Sequence, residues 1–471
     1  MSRLSLSAVA LGLLVGCGSA TPPSGSSQAV TATENTHSPT ANPAAGQAPA
    51  AHQPSYQQLC DEAQARFQAR DANQAVKLLT QAIALEPKRV DAYVKRAAIL
   101  AEAKLVTNAI HDMTSALKID PDNPKLLNTR GYFLLISQQI DRAIEDFSDA
   151  IGLDLQYPQP YNNRGLCWIS QRQFENAIKD FDNALRAKPD YIDAHNNRGF
   201  ALMQLERYDE AIGAFSNALE IDEKYINAVT NRGRCYLAAR RYSEAASDFT
   251  TAISLQPDTM GHYQSRSEAL RLNGDEAGAV ADLSMINWLQ TLEELNQRIL
   301  RNRQDADAWT ERARHLLSRN RTEEADRSLQ NALTLKPSHP GALAVRAQQA
   351  MQRSDYEQVI QDCTAALNQE HHFETFSLRG DAAFALKRYG EAIADYEAAR
   401  RFDRKVVEAY RLRAAQLRQN GDEQLAQADE KYASGLEKQL TDADIKPVAG
   451  TPRAMVVEQV NYEEAAPAQV K

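Results

Sequence analysis

Three sets of residues in this chain of 471 have types and spacings that could do chemistry. The first is a column of arginines: Arg96, Arg130, Arg164, Arg198, Arg232, Arg266, Arg312, Arg346, Arg379 and Arg413. The step is 34 residues, except 46 once and 33 once. Ten cations in register suggest an anion track. However, an aspartate follows sixteen residues later in eight of the ten: Asp112, Asp146, Asp180, Asp248, Asp282, Asp362, Asp395 and Asp429, with Ala214 and Ser328 as the exceptions. Glu62, which stands in this column without being an arginine, has Leu78 in place of the aspartate. Co-occurrence of this kind points to ion pairs, within one helix pair or between neighbours. Each contributes about 0.5 kcal/mol where exposed and more where bidentate and desolvated.

The second set is asparagine: Asn128, then Asn162 and Asn163, then Asn196 and Asn197, then Asn231. A carboxamide offers one acceptor oxygen and a two-proton donor, so it can pair with both groups of a peptide backbone. A ladder of them at the repeat spacing can hold an extended chain with little regard to its sequence. The bland alternative is that they only cap or solvate helices. The third set is thiols and imidazoles. Cys60, Cys167, Cys235 and Cys363 form no CxxC, and Cys167 and Cys235 stand two repeats apart, too far for a disulfide, so they read as small core residues. His371 and His372 lack the partner spacing of a metal site. With no nucleophile elbow, phosphate loop, HExxH or paired carboxylates, the sequence assigns no catalytic residue, metal or cofactor.

The elements that position these residues are clearest in Tyr161 to Pro189. Its apolar residues predict one helix over about 161–170 and a second over about 174–187, with a turn at Gln171 to Gln173. Gly165, Ala177 and Ala184 are small, while Trp168, Phe174, Phe181 and Leu185 are large, so two helices can approach closely. Further columns keep the step: Ala109, Ala143, Ala177, Ala211, Ala245 and Ala279, then Met113, Phe147, Phe181, Phe215, Phe249 and Leu283. Pro87, Pro121, Pro189, Pro257 and Pro337 punctuate repeat ends.

A 34-residue helix–turn–helix with these columns resembles the tetratricopeptide repeat family, over roughly residues 56–440. The resemblance implies an all-α solenoid of about eleven repeats, wound as a right-handed superhelix with no single core. It also implies that the first helix of each repeat lines a concave groove. The asparagines would then face a partner peptide, beside Tyr132, Leu135, Leu166, Ile169, Phe200, Met203 and Leu237. The ladder resembles that of some long superhelices of the family. The family's carboxylate-clamp subtype is not matched, because Asp91, Lys125, Gln159, Asp193 and Asn227 make no cationic set.

Composition bounds the rest. A net charge of −9 and no long basic run argue against nucleic acid, and no apolar run spans a bilayer. Residues 1–16 read as a targeting segment: Arg3, then an apolar run from Leu4 to Val15. Leu14-Val15-Gly16-Cys17 resembles a bacterial lipobox, implying thioether lipidation and acylation at Cys17. Gly18, where an aspartate would favour inner-membrane retention, leans towards the outer membrane and a periplasmic face. Residues 17–54, rich in Ser, Thr, Pro and Ala, read as a linker reaching roughly 35 Å. Repeats one to seven fill 55–292, a helical spacer 293–305, repeats eight to eleven and a polar cap 306–440, and a flexible tail 441–471. Apolar residues from Met285 to Ile299 keep helical spacing and suggest either a long helix packing across the next repeat, or a seam for self-association or a hinge between two sub-arrays. The expected function is a non-catalytic, membrane-tethered adaptor that binds envelope proteins. The alternative is a self-associating assembly factor of an envelope complex such as a pilus, secretin or cell-wall machine.

Overall fold

The computed structural model describes residues 54–445. The targeting segment, Cys17, nearly all of the linker and the tail from residue 446 lie outside the described residues. Those described form 22 helices and no strand. The first seven repeats are α1 (Tyr56–Gln68) and α2 (Ala72–Leu85), α3 (Val90–Glu102) and α4 (Val106–Ile119), α5 (Pro124–Ile136) and α6 (Ile140–Leu153), α7 (Pro158–Ser170) and α8 (Phe174–Ala187), α9 (Ile192–Gln204) and α10 (Tyr208–Ile221), α11 (Ile226–Ala238) and α12 (Tyr242–Leu255), and α13 (Met260–Leu272) and α14 (Glu276–Arg301). The last four are α15 (Ala306–Leu317) and α16 (Thr322–Leu335), α17 (Pro340–Gln352) and α18 (Tyr356–Leu367), α19 (Phe373–Ala385) and α20 (Tyr389–Ala398), and α21 (Arg404–Gln419) and α22 (Glu423–Ile445). Packing is mainly between consecutive helices, and it builds a solenoid of helix pairs in two compact units, divided between Ile286 and Asn287.

Local sequence sets the boundaries. Helix α7 starts three residues before the expected Tyr161, because Pro158 sits at its first turn, where a missing N–H costs nothing. Helix α8 runs from Phe174 to Ala187, and its chain exit at Lys188 is extended. The turn inside each repeat needs one residue in the left-handed region: Arg70, Lys104, Gln138, Arg172, Glu206, Arg240, Asn320, Ser354 and Lys387 take it, as do Gly274 and Gly421. Apart from those two glycines, polar residues take a conformation that glycine adopts most readily.

The core is a layer of matched pairs sixteen residues apart. Phe147, Phe181, Phe215 and Phe249 are fully buried, each with its ring against a glycine of the preceding helix. A Cβ on Gly165 would lie 2.5 Å from Phe181 Cε1, so only glycine fits there. Where alanine replaces the glycine, at Ala97, the partner is the smaller Met113. The column does not hold at Leu283, which is 51% exposed. Helix α14 continues to Arg301, well beyond the length of the other second helices of the first seven repeats.

The apolar residues between Met285 and Ile299 do not form an open seam. Trp288, Leu289, Leu292, Leu295 and Ile299 are buried. Trp288 stacks on His315 with ring centroids 4.9 Å apart and donates from Nε1 to the His315 carbonyl and to Ser318 Oγ. This stripe is therefore consumed within the chain. Among the described residues no helix is long and apolar enough to cross a membrane.

Candidate interaction face

The arginine column is a set of clamps. Arg164 donates from Nε and Nη2 to the two carboxylate oxygens of Asp180, both at 2.8 Å, and from Nη1 to Ser148 Oγ at 3.0 Å. One guanidinium therefore joins the two helices of its own repeat and the second helix of the repeat before. All eight aspartates accept such a fork. The hydroxyl partners Thr80, Thr114, Ser148, Ser216 and Thr250 lie sixteen residues before their arginines, a column in plain register that the sequence reading passed over. Arg198, which lacks a forward aspartate, instead bonds Asp182 in the previous repeat at 2.7 Å. Arg312 finds only Asn296 and Ser328 at hydrogen-bond distance. The carboxylate bond raises the pKa of Arg164, whereas burial lowers that of Arg312. Helix-to-helix geometry is thus fixed from one side of the first helices, and the two residues before each clamp arginine face another.

On that side the six asparagines form one chain of hydrogen bonds. Asn231 donates to Asn196 (3.1 Å), Asn196 to Asn197 (3.3 Å), and Asn197 to Asn162 (3.0 Å). Asn162 then donates to Asn163 (3.5 Å) and Asn163 to Asn128 (3.0 Å). Asn128 bonds the Tyr157 hydroxyl. Every amide donates in the same direction, so the bonds polarise one another. The chain spans α5, α7, α9 and α11 and ends where Thr129 and Thr230 replace asparagine. This geometry corrects the expectation that all six face a partner. Asn162, Asn196 and Asn197 are buried and committed to one another, while Asn128, Asn163 and Asn231 remain half-exposed.

The apolar residues expected beside them are all half-buried: Tyr132, Leu135, Leu166, Ile169, Phe200, Met203 and Leu237. They lie on the same four helices, two or five residues after the clamp-column arginine. Each pays part of its burial to its neighbours and keeps apolar surface in water. The result is an apolar strip across four stitched helices that keeps part of its surface exposed. The thiols of Cys60, Cys167, Cys235 and Cys363 are buried and free. Burial pushes Cys167 up to about 12 and Cys235 to about 11. Among the described residues no group of three or more His, Cys, Asp or Glu is placed to hold a metal ion.

Fold and face together define a helical-repeat array that presents a surface. Family models described as "Tetratricopeptide repeat" match residues 60–124, 192–225 and 230–286, and one described as "TPR repeat" matches 169–206. Over these segments the chain carries tetratricopeptide repeats. No curated protein matches it. Solved structures similar to it include PilW, a type IV pilus biogenesis factor, at 20% identity and TM-score 0.41, covering 46% of this chain and 98% of that one. PilF of Pseudomonas aeruginosa is 18% identical with TM-score 0.40, over 45% and 97%. YrrB, whose structure is described as having an unusual peptide-binding site, is 20% identical with TM-score 0.34, over 42% and 97%.

Proposed function

We propose that this protein is a non-catalytic scaffold of the bacterial envelope, anchored by lipid at Cys17, that binds extended segments of other proteins on the first helices of repeats three to six. The observation that carries the reading is the half-buried strip of Tyr132, Leu166, Phe200 and Met203 across helices locked by the asparagine chain. A rigid, partly dry surface binds without first paying to order itself. Partner side chains seat on the apolar strip, and Asn128, Asn163 and Asn231 offer unspent amide groups to the partner backbone. Asn162, Asn196 and Asn197 hold the helices in register beneath it. The lipid tether and the linker keep the array near the membrane, on the periplasmic side of the outer membrane.

Photo-crosslinking in cells from position 203 tests this reading. One dominant envelope protein is expected. It should be lost on Phe200→Asp and absent when the crosslinker sits at Lys179, an exposed residue of α8. An identical yield from both positions refutes the assignment of the face. Mass spectrometry of the mature amino-terminal peptide tests the anchor independently: an unmodified Cys17 removes it.

A further inference from the structure

The apolar strip ends on a cation. Tyr132, Leu166 and Phe200 occupy the same place in successive first helices, and the next step of 34 residues is Arg234. Unlike Arg232 two residues earlier, which is forked on Asp248 at 2.8 and 2.9 Å, Arg234 is exposed, and among the described residues no carboxylate pairs with it. Glu268, one further step along, is exposed and makes no ion pair with it. Asn231, the end of the amide chain, lies one turn before Arg234 on α11. Its neighbour His262 is buried, and the nearby positive charge and burial both favour the neutral ring.

We infer that the segment held on this face carries a carboxylate at its repeat-six end, paired with Arg234. Spacing sharpens the motif. The first helices of adjacent repeats touch through amide bonds of 3.0–3.1 Å, and packed helix axes lie roughly 8–10 Å apart. An extended chain rises about 3.3 Å per residue, so one repeat corresponds to about three residues. The ligand has apolar residues at i, i+3 and i+6, over Tyr132, Leu166 and Phe200, and its acid at i+9 over Arg234. Charge complementarity selects this occupant, since the strip alone is indifferent to direction and Arg234 is not. The carboxylate belongs either to an Asp or Glu side chain or to a chain terminus.

This inference rests on the face being a peptide site, and the test separates the two. The probes are fluorescein-labelled ten-residue peptides with Leu at positions one, four and seven, Gly and Ser between, and an amidated end. One peptide carries Glu at position ten and another Gln. A third lacks the Glu side chain and ends in a free carboxylate. Anisotropy with the full chain in detergent micelles should show the Glu peptide binding about tenfold tighter than the Gln peptide, as expected for a charge-assisted bond. Arg234→Gln should erase that difference and leave the Gln peptide unchanged. The third peptide tells a terminal from a side-chain carboxylate by which binds tighter. Equal binding of the Glu and Gln peptides, or a preference that survives Arg234→Gln, overturns the assignment of Arg234 alone. No binding by any peptide overturns the peptide reading of the face as well.

Discussion

Replacing Asp180 by alanine should open repeat four far more than replacing Asp182, two residues away. Asp180 is 4% exposed and accepts three N–H bonds: two from Arg164 at 2.8 Å and one from Trp168 Nε1 at 2.9 Å. Its removal strands a half-buried guanidinium, which keeps only Ser148, and an indole N–H. Breaking a desolvated pair from one side costs about 3–5 kcal/mol. Asp182 makes one bond, to Arg198, from a side chain 38% exposed, so its loss should cost at most about 1 kcal/mol. Repeat arrays open locally, so the assay is native-state hydrogen exchange followed at the amides of α7 and α8. About 3 kcal/mol appears as a more than hundredfold rise in opening for Asp180→Ala, against about fivefold for Asp182→Ala. Equal effects would refute the view that desolvated forks, rather than charge pairing in general, set the rigidity of the array.

Three further outcomes follow from the same packing. Gly165→Ala should destabilise by about 1–3 kcal/mol through overpacking on Phe181, and Phe181→Met should recover much of that loss, measured as a double-mutant cycle in urea. A thiol reagent should label none of the four described cysteines in the native protein, since burial pushes Cys167 and Cys363 up to about 12. In urea the mature protein should give four reactive thiols, whereas a fifth would mean that Cys17 carries no lipid. Burial, with Arg234 nearby, lowers the pKa of His262 below its ordinary value near 6.5. The unfolded chain therefore binds a proton before the folded one. Local stability of α13 is complete above pH 6.5 and declines as pH falls below it, and His262→Gln should flatten that decline in exchange experiments.

Much of this was legible from spacing because a stacked array repeats its contacts at the repeat step. The Arg–Asp co-occurrence resolves into forks, and Arg198, whose own repeat lacks the aspartate, turns backwards to Asp182. What stayed hidden are relations between different columns. Asparagine five residues into one repeat meets asparagine six residues into the next, 35 residues on, so two solvent-like columns fuse into one half-buried chain. A carboxamide carries no sequence mark of whether its partner is a ligand or another carboxamide. Leu283 sits in the buried column by register but is half exposed. The turn at Gln171 to Gln173 was legible from the spacing, but not that Arg172 would take the left-handed backbone that glycine usually supplies.

The central claim is that partners are held on the first helices of repeats three to six. Hydrogen exchange across the chain, with and without the segment captured at Met203, tests it most directly. The account predicts new protection concentrated in residues 124–136, 158–170, 192–204 and 226–238. Protection confined to the second helices, or to residues 306–440, would contradict it.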